Sequence, residues 1–309
     1  MADVVIAIPS FRRPKGLERL LTALEKLKTS ANVAVIVADN DDEKREAVQV
    51  SQVARSRGYR WPLDAFIEPR RGIANVRNAL VARALEKHRC DFIAMIDDDE
   101  VPDEHWLDEM LRVQEQTRAD ALNGQTRRLF ETDPGAWAVH CDGVSDSFAP
   151  TGPIAMLETT GNLLARRSLF ENMAMPWFDP AFGMSGGEDK DFFMRAKSDS
   201  ARFAWANEAI MYDHVPPSRA NLKWALNRAY SAGNSDMRVF LRHRPAVSSQ
   251  VREFARLAAA LLLNPVLFAI LSFNPNRRVR PLRKLYRALG KLAAIGGRHY
   301  DEYSVIHGQ

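Results

Sequence analysis

Cysteine is nearly absent from this 309-residue chain, with only Cys90 and Cys141 present. No disulfide framework is implied, and a reducing compartment fits. No basic n-region or cleavage site precedes the run Val4-Val5-Ile6-Ala7-Ile8, so no signal peptide is expected. Internal repeats and low-complexity segments are also missing. Acidic residues are absent from one region: residues 277–298 hold eight Lys and Arg and no Asp or Glu. Asp301 and Glu302 return two charges, so with a net charge of +4 the first 276 residues sum to −2. The basic character belongs to the tail, and an anionic partner for it, lipid or nucleic acid, is expected.

Hydrophobic residues make up 46% and charged residues 27%, an ordinary globular balance for one large or two smaller domains. Short apolar runs at residues 4–8, 33–38, 65–67 and 92–96 read as strands. Between them Leu17, Leu20, Leu21, Leu24 and Leu27, then residues 43–57, then Ile73, Val76, Leu80 and Ala84 follow helical spacing. This alternation predicts an α/β fold with a mostly parallel, Rossmann-like sheet and helices on both faces. Further on, residues 104–116 read as a helix and 119–129 and 158–165 as strands. Residues 131–153 read as a long loop, 203–212 as a strand and 218–241 as a helix.

Residues 257–273 carry no charge, and Asn264-Pro265 interrupts them. A straight helix of that length spans roughly 25 Å, short of a roughly 30 Å hydrocarbon core. With the basic cluster beside it, a membrane-surface helix pair is expected rather than a span. The competing reading is a helix pair packed on the body. Of the two anionic partners open to the basic tail, the apolar run beside it selects lipid, and nucleic acid is not expected.

The chemistry concentrates at predicted strand ends. Ile96-Asp97-Asp98-Asp99-Glu100 closes a buried run, where adjacent carboxylates repel unless water, a proton or a cation relieves them. Asp39 ends the second strand, Glu188-Asp189 follows a glycine run, and Asp213-His214 closes another strand. Carboxylates can bind a ribose or a hard cation, a neutral imidazole can complete coordination, and a further carboxylate can act as general base. Each has a plainer reading as a helix cap or a solvated turn.

Four segments together resemble the family 2 glycosyltransferases of the GT-A fold, of the bacterial exopolysaccharide type. They are Ile6-Ala7-Ile8-Pro9-Ser10-Phe11-Arg12-Arg13, Arg71-Gly72-Ile73-Ala74-Asn75-Val76-Arg77-Asn78, the D-x-D of Asp97-Asp98-Asp99, and the E-D of Glu188-Asp189. The resemblance covers roughly residues 3–240. It implies a GT-A catalytic domain over 1–240, followed by a helical, membrane-associating region over 241–309. It also implies roles. Pro9, Phe11 and Arg12 border the nucleobase, Asp39 bonds base or ribose, and Arg71 and Arg77 face the nucleotide. Asp97 lies near ribose and metal, with Asp98 as spacer on the nucleotide-sugar side. Asp99 and His214 ligate the metal with Asp97. Asp189 is the catalytic base, Glu188 places the acceptor, and Trp224 and Arg228 close over the donor phosphates. Glu100 is expected only to cap the next helix.

The implied cofactor is Mn2+ or Mg2+, and the implied donor a nucleoside-diphosphate sugar, a UDP-sugar first. The acceptor is a glycan or lipid-linked hydroxyl at the cytoplasmic face of a bacterial plasma membrane, with inversion at the sugar. No Q-x-x-R-W motif is present, so one sugar at a time is expected. A sugar-nucleotide pyrophosphorylase needs glycines after the first strand, and Pro9-Ser10-Phe11-Arg12-Arg13 has none. A non-catalytic membrane scaffold is the alternative from another class.

Overall fold

The computed structural model describes residues 2–135, 137–138, 149–274 and 276–300. The first half alternates strand and helix: β1 (Asp3–Ser10), α1 (Pro14–Leu24), β2 (Asn32–Asp39), α2 (Glu46–Ser56), β3 (Leu63–Ile67), α3 (Ile73–Lys87) and β4 (Phe92–Met95). There follow β5 (Glu100–Pro102), α4 (Trp106–Thr117), β6 (Ala121–Phe130), β7 (Gly152–Ile154), β8 (Leu163–Arg166) and α5 (Arg167–Asn172). The chain ends in α6 (Glu188–Ser198), β9 (Phe203–Val215), α7 (Leu222–Arg242), α8 (Val247–Ile270) and α9 (Val279–Ile295). The strand expected over 158–165 is shorter and later, as β8. Much of the 131–153 loop lies outside the described residues, as does Phe148.

All nine strands form one sheet in the order β3-β2-β1-β4-β8-β6-β9-β5, with β7 on β9. The expected parallel arrangement holds for β3-β2-β1-β4. Beyond β4 the sheet is mixed: β8 runs antiparallel to β4 and β6, while β6 and β9 are parallel. Alternating side chains on β1 show why helices cover both faces. Ile6 and Ile8 pack with Leu17, Leu20, Leu21, Leu24 and Met110 on one face. Val5 and Ala7 pack with Leu80, Phe170, Phe192 and Phe193 on the other. The chain leaves β1 toward β2 and β3, then crosses back to β4 on the far side of β1. Such a switch opens a crevice at the carboxyl ends of β1 and β4, where open α/β sheets bind ligands.

The C-terminal helices do not stand apart from this body. α9 packs along α7, and a Cβ on Gly290 would overlap the Tyr230 carbonyl oxygen while one on Gly233 would overlap that of Arg287. Leu257 of α8 is buried with Met237 of α7 and Ala288 and Ala294 of α9. At 24 residues α8 is longer than the charge-free run suggested, roughly 36 Å. Pro265 lies inside it.

Candidate active site

A cleft of about 290 Å³ opens at the switch point, lined by residues that follow β1, β2 and β4 and by the start of α3. Pro9 and Phe11 are on its wall. The Arg71 guanidinium stacks 3.3 Å from the centre of the Phe11 ring, a flat cationic–aromatic platform at one end. Gly72, at φ +118°, turns the chain into α3 while its N–H donates to Asn40 Oδ1 at 3.0 Å. The Asn40 amide donates in turn to the Glu68 and Arg70 carbonyls.

The acidic cluster occupies the other end. Asp98 is buried rather than a free spacer: it accepts from Ser10 Oγ at 2.8 Å, from Phe11 N–H at 3.3 Å and from Arg13 at 3.0 Å. Burial pushes its pKa to about 6, against the pull of Arg13. Asp99 is half-buried, and Arg13 at 2.7 Å and Arg219 at 2.9 Å outweigh desolvation and hold its pKa below the ordinary value. Asp97 is the open member, its side chain 39% exposed, with Arg77 at 3.3 Å. Glu100 caps no helix. It lines the cleft from β5, its Oε2 accepts from Asp97 N–H at 3.1 Å, and burial followed by the nearby Asp97 charge drives its pKa well up.

Arg77 links this cluster to α6. A surface position would be the ordinary fate of an arginine, yet its side chain is 5% exposed and paired with both Asp97 and Glu188. Gly187, at φ +105° against Ser235 and Val239, sets the entry of α6 and so aims Glu188 at Arg77. Burial and the adjacent Asp189 raise Glu188 to about 7 despite Arg77, and Glu188 Oε2 has no hydrogen-bond partner. Asp189 lies in the same first turn, outside the cleft lining, and accepts from Lys190 N–H at 3.0 Å. Burial raises its pKa, while Arg77, Lys190 and Arg228 oppose the rise. Trp224 and Arg228, on α7, line the cleft.

Three expected residues are turned out of the cleft, each beside a neighbour that is turned in. Asp39 is buried, and its carboxylate accepts from Ala47, Val48 and Asp41 N–H, serving the start of α2, while Asn40 lines the cleft. Arg12, at φ +52°, swings out to Asp41 and Glu43, while Arg13 enters the acidic cluster. His214 is not on the cleft wall, because successive side chains on β9 point to opposite faces and Asp213 takes the inward place. Burial followed by Arg19 lowers the His214 pKa. Asp213 rises to about 6 through burial and the nearby Asp99, and its Oδ1 is buried without a hydrogen-bond partner. Arg13, Asn40, Asp213 and Arg219 were missed as site residues. The signal available for three of them was adjacency to a residue already singled out; Arg219 offered none.

Among the described residues, no three His, Cys, Asp or Glu side chains already converge as a metal site. The donor chemistry nevertheless fits a hard divalent cation. Asp97, Asp99 and Asp213 supply only oxygens, and the Asp213 Oδ1 atom is unpartnered. Of the expected trio, Asp97 and Asp99 line the cleft and His214 does not, and Asp213 stands in its place on the wall.

The family model described as Glycosyl transferase family 2 matches residues 5–174. The succinoglycan biosynthesis protein ExoM of Rhizobium meliloti (strain 1021) is 30% identical over 239 residues, 76% of this chain and 74% of that protein. Among solved structures, the mannosyltransferase PcManGT from Pyrobaculum calidifontis, in complex with GDP-Man and Mn2+, superposes with a TM-score of 0.63. It is 15% identical, with 96% of this chain and 88% of that one covered. S. aureus TarS 1-349 in complex with UDP gives a TM-score of 0.55 at 16% identity, covering 100% and 95%. A longer TarS chain is matched over 55% of its length.

Proposed function

The chain belongs to glycosyl transferase family 2, and from that premise we propose that it moves one sugar at a time from a nucleoside-diphosphate sugar to a hydroxyl of a glycan or lipid-linked acceptor. It is a glycosyltransferase of the exopolysaccharide type with a GT-A-like fold. The observation that carries the finer reading is the two-ended cleft, a Phe11–Arg71 platform at one end and interleaved carboxylates and arginines at the other.

In this reading the platform takes the nucleobase, with Pro9 and Asn40 beside it, and Asp39 acts through the backbone of the following helix. The donor we favour is a UDP-sugar, supported by the fold shared with TarS, which was solved with UDP. Arg13, Arg219 and Arg228 are the donors for the diphosphate oxygens, where charge grows as the sugar leaves. Asp97, Asp99 and Asp213 would hold a divalent cation, Mn2+ or Mg2+. When bound, such an ion neutralises that growing charge. Asp189 takes the proton of the acceptor hydroxyl, which attacks in a single displacement and inverts the anomeric centre. Arg77 and Glu188 position the first turn of α6 so that Asp189 faces the sugar side.

Likeness to a succinoglycan biosynthesis protein supports a bacterial surface glycan as product, made at the inner face of the plasma membrane. Residues 1–240 form the catalytic unit and 241–309 the membrane-associating unit, bolted together through α7 and α9. The apolar face of α8 supports a membrane contact: the helix is long and apolar enough to cross a bilayer, with 11% of its apolar window buried. Its packing on α7 and α9 favours lying on the surface.

The test is incubation with Mn2+ and a panel of labelled sugar nucleotides, with and without a chelator. Release of a nucleoside diphosphate from one donor, lost on chelation, is the expected result. A chain that releases none from any donor is a scaffold.

A further inference from the structure

A second cleft, also about 290 Å³, lies far along the chain from the catalytic one, where the end of α8 meets the start of α9. The notch itself is almost wholly apolar, lined by Leu267, Leu271 and Pro281 and by the aliphatic stems of Arg277, Arg280 and Lys284. All three cations are exposed, and no acidic side chain pairs with them among the described residues. The sequence permits no local partner: residues 254–300 contain no Asp or Glu and nine Lys or Arg. The cations that face the body do find acids. Arg287 pairs with Asp236 at 2.5 Å and Lys291 with Glu253 at 2.5 Å. The three around the notch are left to a partner of opposite charge.

The apolar surface beside the notch continues in one direction. Leu263, Val266, Leu267, Ile270 and Phe273 are exposed at helical spacing, Phe273 at 96%. A free, fully hydrated phosphate has no use for that stripe. A phosphate attached to acyl chains uses both, the head on the cations and the chains along the apolar face.

We propose that Arg277, Arg280 and Lys284 bind the phosphate of an anionic bilayer lipid at the rim of the α8–α9 notch, with the apolar notch taking an acyl chain, seating α8 in the leaflet surface. The proposal rests on the reading that the tail meets a membrane, and gives that contact a specific lipid site. Two arginines suit a phosphodiester, since a planar guanidinium can bond two of its oxygens at once. Because α9 packs along α7, the lipid is held by a helix that lies against the one carrying Trp224 and Arg228 into the catalytic cleft.

Flotation of the full chain tests this, on phosphatidylcholine vesicles with and without phosphatidylglycerol. Wild type is expected to partition more strongly onto the anionic vesicles. Combined Arg277→Gln, Arg280→Gln and Lys284→Gln should weaken that partitioning roughly 100-fold, at about a factor of five per charge near an anionic surface. A control of equal charge loss, Arg252→Gln with Arg256→Gln and Arg298→Gln, should cost about tenfold less, because these residues do not line the notch. Equal losses in the two triples overturn the notch while leaving the membrane contact standing. Failure of wild type to bind either vesicle overturns the membrane reading itself. Soluble inorganic phosphate that displaces the chain from anionic vesicles at equimolar phosphate would assign the notch to free phosphate and overturn the lipid.

Discussion

The catalytic cleft and the C-terminal tail both concentrate charge, and they treat it in opposite ways. In the cleft the charges are buried and interleaved: Asp98 and Asp99 share Arg13, Asp99 also holds Arg219, and Asp97 and Glu188 share Arg77. In the tail Arg287 and Lys291 reach Asp236 and Glu253, while Arg277, Arg280 and Lys284 stand exposed in a segment, residues 254–300, that holds no acid. Burial makes each cleft charge depend on its partner, since an ion in low dielectric is costly alone. In the tail, solvent screens each cation and losses add in small steps. The difference separates a site whose charges are held in one geometry by one another from a surface whose cations are left to an outside partner.

The largest effect that could break this contrast is at Arg77. Arg77→Ala leaves Glu188 and Asp97 without their shared cation and should cost about 3–5 kcal/mol of stability. Urea denaturation measures it; a loss no greater than that of a tail arginine would erase the distinction. Next comes Asp189→Asn, expected to lower turnover about 100-fold or more with donor affinity nearly unchanged. Normal turnover would remove Asp189 from the role of base.

A smaller effect is expected where the two regions join. Gly290→Ala forces a methyl against the Tyr230 carbonyl and should cost about 1–3 kcal/mol, with the tail becoming more open to limited proteolysis. The smallest is a pH effect. Glu188 titrates near 7 when folded, above its unfolded value of 4.5, so the folded state holds the extra proton between them. Its contribution is complete below about 4.5 and fades as pH rises through about 7. Asp98 and Asp213, each near 6, act in the same direction. The urea concentration at the midpoint should therefore decrease as pH rises from about 5.5 to about 8, across the shifted carboxyls, and Glu188→Gln should flatten the slope. A tail variant such as Arg280→Gln should leave that slope untouched.

Much of the fold was legible because its signals are local. The apolar runs at β1, β2 and β4 and the leucine spacing of α1 follow from burial alone. β8, which joins the parallel half to the mixed half, was blurred because four residues carry little periodicity. The tail helix was read as too short for a bilayer because a charge-free run was taken for the helix. The backbone helix begins ten residues earlier, through Arg252, Glu253 and Arg256.

The sequence by itself determined which segments meet. Strand ends carrying acids, a helix opening at Arg71-Gly72 and a glycine run before Glu188-Asp189 together suit one polar cleft at the carboxyl edge of the sheet, although each alone could serve as a cap or a solvated turn. Only the tertiary structure decided which of two neighbours faces it: Asn40 rather than Asp39, Arg13 rather than Arg12, Asp213 rather than His214. The physical reason is the two-residue period of a strand and the single positive φ at Arg12. Adjacent side chains point to opposite sides there, and which side meets the cleft is fixed by sheet register and by packing from elsewhere in the chain.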